Sequence, residues 1–188
     1  MDNGASSYRR FLEGDDTGLV EIIRDYKDGL ILYLNGYAGN IHIAEEMTED
    51  VFVKLGVKRP KYDERKATFK TWIYTIGRNV AIDYLRRNRK QMTVSMEELQ
   101  EIANEEYALD VFYIWEEQKI ALHRAIRKLK VEYQQVLWLS YFEEFSNKEI
   151  AQIMRKSVRG VESLVYRARL AVKSEFHIWQ KTHVQLPS

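Results

Sequence analysis

The chain has 188 residues, 45% of them hydrophobic and 30% charged, which is typical of a globular protein with one medium domain or two small ones. It has no cysteine, which excludes disulfides and thiolate metal sites, and no apolar run near the ~18 residues that span a bilayer. The N-terminal stretch MDNGASSYRRFLEGDD lacks the apolar core of a signal peptide, so we expect a cytoplasmic protein without membrane insertion.

The net charge of +1 conceals a segregation of charge along the chain. Residues 54–90 contain 12 Lys and Arg against 3 Asp and Glu, residues 91–117 contain 8 acidic residues and no basic one, and residues 146–174 contain 7 basic and 2 acidic residues. Two basic blocks divided by an acidic one predict two surfaces for a polyanion, joined by a segment that avoids it.

The first third of the chain predicts helices. We expect a poorly ordered lead-in over residues 1–15 that ends in a helix with Tyr8, Phe11 and Leu12. A second helix, capped by Asp16 or Thr17, is predicted to end at Gly39-Asn40, and its apolar face contains Leu19, Ile22, Ile23, Tyr26 and Leu30. A third helix is predicted from about Ile41 to Leu55, with an apolar stripe of Ile43, Met47, Val51, Phe52 and Leu55.

The other faces of this third helix are acidic, with Glu45, Glu46, Glu49 and Asp50. Glu46 and Asp50 lie one turn apart, and together with His42 they are candidate metal ligands of a nucleic-acid enzyme. A solvated acidic face is the simpler interpretation, because His42 is the one histidine nearby and nothing indicates a pocket.

A basic loop, GVKRPKYDERKAT, precedes a helix predicted over residues 66–90. The core stripe of this helix has 3–4 spacing and consists of Phe69, Trp72, Ile73, Ile76 and Val80. One flank contains Thr75, Asn79, Ile82 and Arg86; asparagine reads base edges, and arginine contacts both bases and phosphates. The cationic end of the helix, residues 86–90, suits a polyanion and also the negative pole of the helix dipole.

Two further residues of this helix have predicted structural roles. Gly77 costs roughly 1 kcal/mol of helix propensity relative to alanine, which indicates close packing at that position. Asp83 lies close to the core stripe and is expected to pair with a neighbouring arginine.

The pattern Phe69-x-x-Trp72-Ile73-x-x-Ile76-x-Arg78-Asn79-x-x-x-Asp83-x-x-Arg86 resembles the promoter-reading segment of bacterial sigma factors of the extracytoplasmic-function group. The resemblance implies a loop that traps a base flipped out of the non-template strand, followed by a helix that reads the −10 element. The implied contacts are Tyr62, Asp63, Lys66 and Ala67 in the loop, Tyr74 as a stacking ring, and Thr75, Arg78, Asn79 and Arg86 in the helix.

The acidic segment 44–52 is similar to the sigma segment that docks on the coiled coil of the largest polymerase subunit. In that case the carboxylates would pair with basic residues of the polymerase and fix its orientation. The residues implied by this similarity are Glu45, Glu46, Glu49, Asp50 and Phe52.

The remainder of the chain predicts a linker, two helices and a helix-turn-helix. The acidic linker extends over residues 91–117; one helix then contains Ile120, Leu122, Ala125, Ile126 and Leu129, and the next contains Tyr133, Val136, Leu137, Ser140 and Tyr141. Ser146 and Glu149 form a capping box at the start of a two-turn helix. After a turn, Ser157 is predicted to cap a basic helix from Val158 to about Ser174, followed by a fraying tail after Phe176.

On this last helix Val161, Val165, Ala168 and Val172 are predicted to face inward. Among the outward residues, Glu162 can accept a hydrogen bond from cytosine and Arg159 can read guanine or bind phosphate. The segment resembles the sigma domain that reads the −35 element, although Glu144 and Arg155 stand where the family often has glycine, Lys130 where it has proline, and Glu162 and Leu164 where it has Lys and Arg. The implied contacts are Ser157, Arg159, Glu162, Ser163, Tyr166, Arg167, Arg169 and Lys173.

These observations predict an all-α protein of two small helical domains: sigma region 2 over residues 1–90 and sigma region 4 over residues 118–188. We predict a transcription initiation factor with no enzymatic activity, no cofactor and no metal. Its expected partners are core RNA polymerase, promoter DNA and an anti-sigma factor. The alternative is a helix-turn-helix regulator that acts without binding core polymerase.

Overall fold

The structure, a computed structural model, describes residues 3–91 and 124–183. The regular elements in these two ranges are helical, which confirms the predicted all-α fold. Residues 3–91 belong to one compact unit and most of residues 124–183 belong to a second, and each unit is described by itself. Within these ranges no helix combines the length and the apolarity that a membrane crossing requires. The predicted linker and the start of the helix after it lie outside the described residues.

The first unit consists of helices α1 (Asn3–Leu12), α2 (Thr17–Ala38), α3 (Ile41–Val53) and α4 (Phe69–Gln91). A π-helical turn, Lys54–Lys58, extends α3. The expectation of a poorly ordered lead-in was wrong, because α1 begins at Asn3 and buries Tyr8 and Phe11 against the rest of the unit.

Two polar side chains define where α2 and α3 begin. Asp16 occupies the N-cap position of α2, as predicted, but its side chain makes no capping hydrogen bond; the Asp15 carboxylate instead accepts from the Thr17 backbone N–H at 3.0 Å. The Asn40 side chain accepts from the backbone N–H of His42 at 2.9 Å and starts α3. Between the two helices Gly39, with φ 65°, ends α2 in the left-handed conformation.

Helix α4 packs against both α2 and α3. Its core residues Phe69, Ile73 and Val80 are buried as predicted, while Trp72 and Ile76 are half-buried. A Cβ atom on Gly77 would lie 3.3 Å from a Leu30 methyl group of α2, which confirms the predicted close packing at this glycine.

Glu21 of α2 connects the first two helices. The Ser7 hydroxyl of α1 donates to its carboxylate at 2.6 Å, and the Arg10 guanidinium pairs with the same carboxylate. The hydrogen bond from Ser7, followed by that from Arg10, holds the pKa of Glu21 below its ordinary value. The junction between α1 and α2 is therefore polar on this side and depends on an ionised Glu21.

This junction predicts a contribution to acid sensitivity. A carboxylate whose pKa is lowered by folding adds stability that is complete above its unfolded pKa, about 4.3, and is lost as the pH falls through the folded pKa. We expect Glu21→Gln to reduce the loss of unfolding free energy between roughly pH 5 and pH 3. The measurement is urea unfolding as a function of pH. Glu13→Gln, at an exposed position, is the control, and an identical pH dependence in the two variants would contradict the prediction.

The second unit contains a helical turn at residues 124–127, helix α5 (Val131–Leu137) continued by a π-helical turn (Trp138–Phe142), helix α6 (Asn147–Met154) and helix α7 (Val158–His183). Helix α5 packs on α7. The core of this unit includes Val136, Leu139, Ile150, Val161, Leu164 and Ala168. The predicted end of α7 was wrong, because the helix continues to His183.

Candidate functional site

The loop 59–68 between the first π-helical turn and α4 folds around Tyr62. The Tyr62 hydroxyl donates to the Ala67 carbonyl at 2.9 Å, and its ring packs on Phe69 and Trp72 with centroids 5.5 and 5.1 Å away. The loop is therefore closed on itself by contacts with the start of α4. Two of its four predicted site residues, Tyr62 and Ala67, meet directly.

The other two predicted loop residues, Asp63 and Lys66, are charged, and the Lys66 Nζ atom lies 3.9 Å from Oδ2 of Asp63. Asp63 accepts hydrogen bonds from the guanidinium and the backbone N–H of Arg65, at 3.0 and 3.2 Å. The guanidinium is the main reason why the pKa of Asp63 is held below its ordinary value. Asp63 is thus ionised at neutral pH, and the Lys66 side chain beside it is exposed.

The predicted reading flank of α4 is present on the surface. Thr75, Arg78 and Asn79 are half-buried and Arg86 is exposed. Arg86 pairs with Asp83, which confirms the predicted structural role of that carboxylate. The Asn79 amide makes no hydrogen bond to another of the residues that the structure describes.

Tyr74 was wrongly predicted as a stacking ring. It is 1% exposed, and its ring lies 5.3 Å from that of Tyr33 in α2. Because α4 contacts two helices, its buried sector is wider than one stripe and includes the residue after Ile73. A ring in that position has no face open to a base.

The acidic face of α3 is solvated, as the simpler interpretation predicted. Glu46, Glu49 and Asp50 are exposed, and Glu45 lies 3.4 Å from the His42 imidazole. No three His, Cys, Asp or Glu side chains within residues 3–91 and 124–183 are placed to bind one metal ion.

Phe52 was predicted as part of the polymerase-docking surface on α3, and the structure corrects this. It is 9% exposed and belongs to the core of the first unit. The buried stripe of α3 includes Val51 and Phe52 together, which leaves the carboxylates to form the outer face.

The helix-turn-helix of the second unit has the predicted caps. Glu149 accepts from the Ser146 backbone N–H at 3.0 Å, and the Ser146 hydroxyl accepts from the Glu149 N–H at 3.4 Å. The Ser157 hydroxyl accepts from the Gly160 N–H at 3.1 Å and begins α7. Helix α6, the turn at residues 155–157 and helix α7 therefore form the predicted motif.

The N-terminal half of α7 exposes Arg159, Glu162 and Ser163. On its opposite face Val161, Leu164 and Ala168 are buried. Leu164, at one of the two positions where the family has Lys or Arg, lies in the core and contributes no charge to the exposed face. The exposed half fits the geometry in which the start of a recognition helix enters the major groove.

The middle of α7 borders an apolar cleft of about 630 Å³ that the sequence did not predict. The cleft places Tyr166, Arg169 and Lys173, all predicted DNA contacts, beside a set of apolar side chains: Ile126, Leu137, Tyr141, Phe142, Leu170 and Val172. Tyr141 and Leu170 are each 52% exposed. The signal for this cleft was the spacing of Leu170, one turn after Tyr166 on the outer face of α7.

Two segments of the chain match family models. Residues 22–91 match sigma-70 region 2. Residues 119–172 match region 4 of the same family. The chain belongs to the sigma-70 family.

The relatives of this sigma factor include members of the extracytoplasmic-function group. It is 26% identical over 157 residues to the ECF RNA polymerase sigma factor SigM of Bacillus subtilis, covering 84% of this chain and 94% of the relative. It is 25% identical over 171 residues to SigW of the same organism, covering 87% and 91% of the two chains. The resemblance seen in the sequence is therefore confirmed.

Two solved structures share the fold of this sigma factor. CnrH, in complex with the cytosolic domain of CnrY, matches with a TM-score of 0.59 and 16% identity over 92% of this chain and 93% of that one. The sigma factor RpoE of Bartonella quintana, in complex with the anti-sigma factor NepR, matches with a TM-score of 0.60 and 16% identity over 84% and 96%.

The backbone shows which departures from the family pattern cost free energy in this sigma factor and which do not. Glu144 and Arg155 have φ values of 56° and 54°, the left-handed conformation in which the family often has glycine. A side chain in that conformation costs roughly 1–2 kcal/mol. Lys130 precedes α5 with φ −55°, a value that proline also adopts, so lysine replaces proline without a change of backbone.

Proposed function

We propose that this sigma factor binds core RNA polymerase, places it on a promoter with two separated elements and helps to open the downstream one. The observation that carries the proposal is the presence of region 2 and region 4, in family order, on one chain. A helix-turn-helix regulator would account for the second unit but has no use for the first. As a sigma factor the protein is an initiation factor and not an enzyme.

We assign promoter opening to residues 1–90. Within that region the exposed carboxylates of α3 (Glu46, Glu49 and Asp50, with Glu45 beside them) contact polymerase. The loop 59–68 captures a flipped base, and the flank of α4 reads the −10 element through Thr75, Arg78, Asn79 and Arg86. Prising a base from the stack costs a few kcal/mol, so the loop must return that energy through stacking and hydrogen bonds.

We assign −35 recognition to residues 118–188, connected to the first region by the acidic linker 91–117. Base reading falls to Arg159, Glu162 and Ser163, which are exposed at the start of α7. Contacts with the DNA sugar-phosphate backbone position the helix without reading the base sequence. We assign these contacts to Ser157, Arg167, Arg169 and Lys173. Tyr166, 65% exposed, lies between these two sets.

We also propose that the protein acts in the cytoplasm and is held inactive by an anti-sigma factor. RpoE, which shares its fold, was solved in complex with the anti-sigma factor NepR. The signal that releases such a partner is separate from promoter recognition and depends on that partner.

The function is tested with the purified chain and bacterial core polymerase. We expect a stable complex and transcripts that start at defined positions on promoter fragments selected by that complex. A chain that binds DNA but neither binds core polymerase nor supports initiation would overturn the proposal in favour of a regulator.

A charge reversal tests the assignment of α3. We expect Glu46→Lys to slow association with core polymerase roughly 3- to 10-fold, with an effect that shrinks at high salt, because exposed carboxylates steer binding more than they add affinity. Asp28→Lys, an equal change at an exposed position of α2, is the control. The measurement is the stopped-flow rate of association with core polymerase at two salt concentrations. Equal slowing of association by both variants would refute the assignment.

A further inference from the structure

We infer that α1 holds the loop 59–68 in one conformation, and that Tyr8 is the positioning residue through which it does so. The role in promoter opening rests on the proposed function of this loop. Helix α1 precedes the segment that matches region 2, which begins at residue 22, and the assigned −10 contacts lie in the loop and in α4. We assign to α1 the role of shaping the loop.

Three contacts connect α1 to the loop. The Tyr8 hydroxyl donates to the Pro60 carbonyl at 2.7 Å. The Arg59 guanidinium lies 4.7 Å from the centroid of the Phe11 ring, within the range of a cation–π interaction. Further along, Arg9 and Glu64 form an exposed ion pair at 3.5 Å. The contacts involve both the entry to the loop and its middle.

The backbone at the entry to the loop needs such support. Arg59 has φ 44° and ψ 55°, the left-handed conformation that residues other than glycine avoid. It also precedes Pro60, and the residue before a proline favours extended backbone. The left-handed conformation of Arg59 is therefore unfavourable both for a residue with a side chain and for a residue before proline. The entry to the loop keeps this conformation only while neighbouring contacts impose it, and Phe11 and Tyr8 make those contacts.

Helix α1 is itself firmly placed. It crosses α2 at Gly18, where an added Cβ would lie 2.9 Å from the Phe11 backbone nitrogen, so the two backbones touch. The ring of Tyr8 is 1% exposed and packs 5.6 Å from Phe69 and 5.2 Å from Trp72. Burial raises the pKa of Tyr8 to about 12, so its hydroxyl keeps the proton that it donates at neutral pH.

A loop that is ordered before DNA arrives loses less conformational entropy when it captures a base. Loosening the loop should therefore slow the opening step and leave the affinity for polymerase unchanged, since α3 makes that contact. A positioning role would therefore change the rate of opening alone, whereas general destabilisation would reduce both the rate of opening and the affinity for polymerase.

The test compares Tyr8→Phe with Tyr33→Phe in the full chain. Both substitutions remove a hydrogen-bonding hydroxyl from a buried ring, but the Tyr33 hydroxyl lies 3.3 Å from that of Tyr37 and far from the loop in sequence. Limited trypsin digestion followed by mass spectrometry reports cleavage after Lys61, Arg65 and Lys66. Holoenzyme titration and permanganate footprinting report polymerase affinity and the rate of opening.

We expect Tyr8→Phe to raise the rate of cleavage in the loop about 2- to 10-fold, as the loss of one net hydrogen bond predicts, and to slow opening by a similar factor at unchanged polymerase affinity. Tyr33→Phe should change neither rate. Unaltered cleavage in Tyr8→Phe, or equal changes in both variants, would overturn the inference that α1 holds the loop. Faster cleavage with normal opening would overturn its role in promoter opening. The digestion needs no polymerase, so its result is independent of whether the proposed function is correct.

Discussion

The Gly18→Ala variant is expected to lose about 1–3 kcal/mol of unfolding free energy from the first unit. The added Cβ would fall well inside van der Waals contact with the Ser7 carbonyl oxygen and 2.9 Å from the Phe11 nitrogen. Both are backbone atoms of α1, which cannot rotate away as a side chain can, so α1 must move off α2. The overlap outweighs the gain of up to about 1 kcal/mol in helix propensity that alanine brings. Urea unfolding followed by circular dichroism measures the loss.

Gly56→Ala provides the matched control for this variant. Its Cβ would meet a Leu19 methyl group at 3.4 Å, an ordinary contact, and Gly56 lies in the π-helical turn after α3. We expect its unfolding free energy to stay within about 0.5 kcal/mol of the wild-type value. Wild-type stability in Gly18→Ala would show that the backbones of α1 and α2 do not touch as described.

Local signals in the sequence predicted much of the fold correctly. Helical periodicity located α2, α3 and α4, and the Ser146–Glu149 capping box located the start of α6, because these signals depend on residues within one or two turns of each other. The close packing at Gly77 followed from the propensity cost of a glycine inside a helix. The membership of the chain in the sigma-70 family likewise followed from residues at fixed spacing in α4.

The errors concern the width of a buried face. Tyr74 was predicted outside the core, yet it lies beside the predicted core position Ile73 and is buried. A helix with one neighbour buries a narrow stripe, whereas α4 packs on two helices and buries a wider sector. Periodicity in the sequence predicts the centre of a helix's buried face. The width of that face depends on how many helices pack against it, which is tertiary information.

Contacts between distant residues left no signal in the sequence. Tyr8 and Pro60 are 52 residues apart, and an arginine before a proline predicts extended backbone in place of the left-handed conformation that Arg59 adopts. The cleft beside the middle of α7 requires side chains from separate helices, so the spacing of Leu170 alone could not predict it. The assigned roles of the DNA and polymerase contacts stay predictions, because they concern partners that the fold alone does not contain.

The Asn79→Ala variant is expected to form open complexes about 5- to 100-fold less well, with unchanged affinity for core polymerase, because a bidentate contact from an asparagine amide to a base is worth about 1–3 kcal/mol. Asn79 is suited to this contact, since its half-buried amide makes no hydrogen bond to other described residues and lies one turn from Thr75 on the flank that Arg86 continues. Permanganate reactivity of the downstream element and holoenzyme titration measure the two quantities. Asn88→Ala is the control, since nine residues of α-helix place Asn88 on the opposite side of α4. Equal loss of polymerase binding and of opening in Asn79→Ala, or an equal effect in Asn88→Ala, would mean that this flank of α4 does not read the promoter.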